Sequence, residues 1–101
     1  MSNRVEISVV IPVYNSETIL VELANQINDA LSEYRYEVIF VNDGSVDSSW
    51  EIVEEIAINR KSVTGICLSK NFGQDNAIMA GLRLSNSDSV VIMDDDLQHS
   101  P

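Results

Sequence analysis

Four short apolar runs alternate with three helix-like stretches, and each run ends in a cluster of small and polar residues. The runs are Ile7-Ser8-Val9-Val10-Ile11, Glu37 to Val41, Val63 to Leu68 and Ser89 to Met93, all rich in β-branched side chains, as strands require. Ile19, Leu20, Leu23, Ala24, Ile27 and Leu31 follow the helical period between the first two runs, with Ser16 or Asn15 as the expected cap. Ile52, Val53, Ile56 and Ala57 form a second stripe behind a capping box of Ser48 and Glu51. A third helix is expected through Ala77, Ile78, Ala80, Gly81 and Leu82, after the turn Asn71-Phe72-Gly73. This alternation predicts an α/β fold, a Rossmann-like and mostly parallel sheet with right-handed crossovers. Runs that are continuously apolar need cover on both faces, so helices are expected on both. Such sheets bind ligands beyond the carboxyl ends of their strands, where the strand order reverses. Pro12 to Asn15, Asn42 to Ser45, Lys70 to Gly73 and Asp94 to Asp96 each follow a strand, so all four clusters should converge on one rim.

The last cluster holds three consecutive carboxylates. If the strand alternation continues, Asp94 and Asp96 share a side, with Cα atoms about 6–7 Å apart, while Asp95 faces away. Like charges at the end of a buried element repel unless a cation joins them, and a hard divalent ion suits oxygen ligands. An acidic turn that merely solvates a loop or caps a helix is the competing reading, and the acids alone leave the two even. Charge balance adds a constraint. Sixteen acidic residues against six basic ones give a net charge of −10. Such a surface does not attract nucleic acid or anionic lipid by its overall field. An anionic ligand must instead be held locally, by a metal, backbone amides or a few Lys and Arg.

The remaining clusters carry weaker signals. Tyr14, beside Pro12, Val13 and Asn15, can stack on a planar base, although a tight turn with Tyr14 partly in the core is favoured by those residues alone. Asp43 can accept a hydrogen bond from a base imino group or a ribose hydroxyl, and Gly44 would let a ligand approach, against the plainer reading of an Asp-Gly turn. Lys70 can compensate a phosphate or remain a solvated surface lysine. Gly81 is expected to mark close helix–sheet packing. Trp50 and Phe72 are expected in or beside the core, and His99 in an exposed loop. Cys67, the only cysteine, is expected to be an inert buried thiol, so no intrachain disulfide forms. The absence of a long apolar run near the amino terminus predicts neither a signal peptide nor a membrane span, hence a cytoplasmic setting. A length of 101 residues fits one small domain.

Four ordered segments together resemble family 2 glycosyltransferases: Val9 to Asn15, Val41 to Ser48, Leu68 to Gly73 and Met93 to Gln98. The likeness is to the branch of dolichol-phosphate mannosyltransferases and bacterial polyisoprenyl-phosphate glycosyltransferases. The resemblance implies the nucleotide-binding half of a glycosyltransferase A fold and a UDP- or GDP-linked sugar donor. It implies a nucleotide site drawn from Pro12, Val13, Tyr14, Asn15, Asn42, Asp43, Gly44, Ser45, Lys70, Asn71, Gly73, Asp94 and Asp95. It implies Mg²⁺ or Mn²⁺ on Asp94 and Asp96, the outer acids of an Asp-x-Asp motif, with Gln98 as a further ligand. A lipid-phosphate acceptor would place the full-length parent at the cytoplasmic face of the membrane.

Two departures stand out. Ser16 replaces the Glu of many relatives, and Asp95 replaces a small residue between the outer acids. Asn42 also replaces a common Asp. The resemblance further implies a donor-binding half spanning residues 1–101, truncated after the acid motif. The general base would then lie beyond Pro101, turnover would be lost, and an exposed sheet edge would invite homo-oligomers. Rival readings are a receiver module, a nucleotidyltransferase, and a non-catalytic metal- or nucleotide-binding or oligomerising α/β module. The first lacks its acid pair after strand one, and the second its Gly-rich loop.

Overall fold

In a computed structural model, which describes residues 4–95, seven elements follow the expected order. They are β1 (Ile7–Val13), α1 (Leu20–Leu31), β2 (Tyr36–Asn42), α2 (Ser49–Asn59), β3 (Val63–Cys67), α3 (Gln74–Leu84) and β4 (Val90–Ile92). The strands form one sheet in the order β3-β2-β1-β4, and every pair is parallel. The chain travels outward from β1 through β2 to β3, then returns past β1 to lay down β4. Crossover handedness is fixed, so reversing the direction of travel forces the returning helix onto the opposite face.

Side-chain alternation shows that division. Val9, Ile11, Val13, Val38 and Phe40 pack with Leu20, Leu23, Ala24 and Ile27 of α1 and with Val53 and Ile56 of α2. Val10, Ile39 and Val41 pack with Ala77 and Ala80 of α3. Gly81 lets α3 lie close on the sheet: a Cβ there would fall 2.4 Å from Val10 Cγ1. The packing role expected for Gly81 is the one it has.

Several boundaries move, each for a physical reason. Pro12 was expected to end the first strand, yet β1 runs on to Val13, with Pro12 in register with Val41. Its missing donor acts on the other neighbour. Ser8 N–H donates to Ser89 and Val10 C=O accepts from Met93, so even-numbered β1 residues bond toward β4. Pro12 is the next in that series and has no N–H to give. The ladder stops there. β4 accordingly ends at Ile92, one residue short of expectation, and Asp94 and Asp95 lie outside the sheet.

Of the expected helix caps, Ser48 holds the N-cap position of α2 without a side-chain bond, while α1 begins later than Asn15 or Ser16. The cap residue of α1 is Ile19, without a side-chain bond, and the Ser16 carbonyl accepts Ile19 N–H at 3.1 Å. Ser48 precedes α2 but makes no capping bond; Asp47 Oδ1 accepts the Ser49 N–H at 2.9 Å instead. Cys67 corrects another expectation. It is exposed, because β3 is a sheet edge and Cys67 is its last residue. Phe72 is likewise 44% exposed. Among the described residues, no helix is long and apolar enough to cross a membrane.

Candidate functional site

β1 and β4 are the point where the strand order reverses, and a cavity of about 440 Å³ opens beyond their carboxyl ends. That size falls within the roughly 300–1,000 Å³ of small-ligand pockets. Pro12 and Tyr14 form one wall, Asp43 the floor side, Asn71, Gly73 and Gln74 a second wall, and Asp94 and Asp95 the third. Among the described residues, eight line it; three of these are carboxylates and none is basic.

Each wall is held by specific bonds. Asp43 is almost fully buried, and its Oδ1 accepts the Phe72 N–H at 2.8 Å, which ties the β3–α3 loop to the end of β2. Gly44 adopts φ +73°, and a Cβ there would sit 2.4 Å from Asn71 N. The close approach that Gly44 allows is therefore made by backbone, not by a ligand. Asp94 Oδ1 accepts from Gln74 Nε2 at 3.2 Å. Asp95 Oδ2 accepts the Tyr14 N–H at 3.0 Å and also contacts the Ser16 hydroxyl.

A second set of bonds stitches the β1–α1 loop to the β2–α2 loop. Asn15, in the left-handed region at φ 51°, donates its N–H to Ser45 Oγ at 3.0 Å, and its Oδ1 accepts the Val46 N–H at 2.9 Å. Ser16 N–H donates to Ser49 Oγ at 2.7 Å, and Glu17 N–H donates to Asp47 Oδ2 at 3.3 Å. Desolvation of Asp47 opposes its ionisation. Bonds from the Ser49 hydroxyl and N–H and from the Glu17 N–H outweigh that effect and hold the carboxyl below its ordinary range.

Of the sequence-derived candidates, Pro12, Tyr14, Asp43, Asn71, Gly73, Asp94 and Asp95 come together around the cavity. The others lie elsewhere. Val13 is a core side chain, and Asn15 and Ser45 bond each other's loops. Asn42 is buried, donates to Cys67 Sγ at 3.5 Å, and leaves its Oδ1 without a partner. The Lys70 ammonium lies over the Phe72 ring, 5.3 Å from its centroid, a cation–π contact rather than a lining position. Asp96, Gln98 and His99 fall outside the described residues. Gln74 was missed; the only signal was its place at the start of α3, directly after a rim glycine. Among the described residues, no three His, Cys, Asp or Glu side chains are grouped closely enough to hold a metal ion. Of the three carboxylates that line the cavity among the described residues, Asp94 is the exposed one, with the oxygen chemistry a hard cation needs.

Glycosyl transferase family 2 matches residues 8–101. The undecaprenyl-phosphate 4-deoxy-4-formamido-L-arabinose transferase of Aeromonas hydrophila is 42% identical over 99 residues, covering 94% of this chain and 30% of that protein. The dolichol-phosphate mannosyltransferase of Pyrococcus furiosus is 38% identical over 96 residues, covering 95% of this chain and 27% of that protein. The chain thus spans about three-tenths of the length of these curated relatives. Among solved structures, the mannosyltransferase PcManGT of Pyrobaculum calidifontis, in complex with GDP-Man and Mn²⁺, superposes with a TM-score of 0.76. It is 27% identical, and the match covers 92% of this chain and 28% of that one.

Proposed function

Since the chain belongs to glycosyl transferase family 2, we propose that residues 1–101 form the donor-binding half of an enzyme moving a sugar from a nucleoside diphosphate onto a polyisoprenyl phosphate. The observation that carries this reading is the cavity itself. It lies at the strand-order reversal and, among the described residues, shows carboxylates and no basic side chain, a lining that suits a diphosphate together with a divalent cation.

Roles follow from the walls. The half-exposed Tyr14 ring stacks on the base, backed by Pro12. Asp43, with Oδ1 committed to Phe72, turns Oδ2 to a ribose hydroxyl or base imino group. Asn71, Gly73 and Gln74 flank the diphosphate. Asp94, with Asp96 and Gln98, holds Mg²⁺ or Mn²⁺; the Mn²⁺ complex of PcManGT and the all-oxygen donor set support that choice. When bound, such an ion neutralises the charge that develops on the departing nucleotide. Among the described residues, Asp94 is bonded by the neutral Gln74 amide alone, a weak competitor for a cation. The names of the two relatives support a lipid-phosphate acceptor.

Calorimetric titration with UDP and GDP, with and without Mn²⁺, tests the reading. Binding should require the metal and fall at least tenfold in Asp94→Ala and in Asp96→Ala. Nucleotide binding that ignores both metal and mutation would overturn it.

A further inference from the structure

The middle acid of the triplet has a job that strand alternation does not suggest. The N–H of Met93 makes the last ladder bond to β1; past it Asp95 turns back across the reversal point onto the β1–α1 loop. Its Oδ2 takes the Tyr14 N–H, 81 positions away in sequence, and touches the Ser16 hydroxyl, 79 positions away. Ser16 is 8% exposed and is itself pinned through its N–H to Ser49. Its hydroxyl also lies 3.0 Å from the Tyr14 carbonyl, but it has one proton, and the charged carboxylate is the stronger acceptor.

We infer that Asp95 is a positioning residue, a carboxylate latch joining the Tyr14–Ser16 turn to the end of β4, and that it sets the width of the donor cavity rather than gripping the donor. The need for it follows from Pro12. Where the β1–β4 ladder should make its next bond there is no donor, so the two walls would part just below the site. Asp95 replaces that missing backbone bond at Pro12 with a side-chain one at Tyr14, two residues further along. The latch holds the backbone of the stacking ring, Tyr14, at a fixed distance from Asp94. Ser16 and Asp95 touch each other. An acid at both places would set two carboxylates in contact, so the small hydroxyl at one suits the acid at the other.

The effect on donor rests on the proposed function; the latch itself does not. Two readouts keep them separate: amide hydrogen exchange at Tyr14 in the nucleotide-free chain, and nucleotide affinity in the presence of Mn²⁺. In Asp95→Ala, Tyr14 exchange should rise at least tenfold, while the Asp43 N–H, bonded to Val13 O at 2.8 Å, keeps its protection and reports an intact fold. Asp95→Asn retains an acceptor oxygen and should keep most of the Tyr14 protection. Loss of one such bond corresponds to roughly a five- to tenfold weaker nucleotide affinity in Asp95→Ala. Ser16→Ala should weaken binding two- to threefold, and Ser16→Ala with Asp95→Ala should be no worse than Asp95→Ala alone. Wild-type Tyr14 exchange in Asp95→Ala would overturn the latch. An affinity loss in Asp95→Ala with none in Ser16→Ala would make Asp95 a direct ligand contact and overturn the positioning role. If the wild-type chain bound no nucleotide, the proposed function would fall and the exchange data would still decide the latch.

Discussion

Gly44 is where a single methyl group should do most damage to the site. An alanine Cβ there would lie 2.4 Å from Asn71 N, 2.8 Å from Lys70 C and 2.9 Å from Asn71 Cα. All three are backbone atoms, so no rotamer change relieves the clash. Restoring an ordinary 3.4 Å contact requires the β3–α3 loop to withdraw by about 1 Å, which pulls Phe72 N–H from Asp43. The left-handed φ of +73° costs an L-residue about 1–2 kcal/mol. Overpacking against a fixed neighbour adds roughly 1–3 kcal/mol. Gly44→Ala should therefore destabilise by about 2–5 kcal/mol, a large part of the roughly 5–15 kcal/mol typical of a domain. With a urea slope of about 1–3 kcal/mol/M, the unfolding midpoint should drop by roughly 1–3 M. Gly73 is the control: it has φ +97° and ψ 154°, with nothing within 4 Å of its missing Cβ. Gly73→Ala carries backbone strain alone and should leave the Phe72 amide protected from exchange. A Gly44→Ala midpoint within about 0.3 M of wild type, with Phe72 still protected, would refute the close-approach argument.

Two further expectations concern titration and thiol access. Asp47 has a depressed carboxyl pKa, so the stability it adds is complete above its unfolded value near 4 and fades as pH falls through the lower folded value. The gap in urea midpoint between wild type and Asp47→Ala should shrink from pH 6 to pH 3; a gap that widens on acidification would contradict the bonding described. Cys67 is exposed at the end of an edge strand, so one thiol per native chain should react with Ellman's reagent, at a rate close to that of the unfolded chain. Protection in the native state would show that the end of β3 is covered.

All seven elements were legible, because buried strands leave runs such as Val38 to Val41 and packed helices leave stripes such as Leu20, Leu23, Ala24 and Ile27. Convergence of the strand ends was legible as well, since a parallel sheet gathers them on one side. What escaped depends on which strand neighbours which. That β3 is an edge, and hence that Cys67 is open to solvent, follows from strand order, which local pattern does not encode. Pro12 looked like the end of its own strand because a missing donor is obvious in sequence, whereas the neighbour it fails is not. Alternation placed Asp95 opposite Asp94, but that rule holds only while the ladder lasts, and its last bond is made by Met93. Asn15 and Ser45 lie in rim clusters, as polar loop residues near a site often do, yet their bonds serve the scaffold.

The short final strand has a thermodynamic consequence. β4 pairs with β1 over Val90 to Ile92 alone, against all seven residues of β1 matched by β2, and Val91 and Ile92 remain about half exposed. Undocking such a strand costs less than global unfolding, so the native ensemble should breathe first along this junction. Opening it separates the two sides of the donor pocket. A ligand that spans both sides binds only the closed population, and in doing so draws the whole chain toward its most ordered form. If the cavity takes the donor proposed above, its affinity and the docking of β4 are one equilibrium measured from two ends.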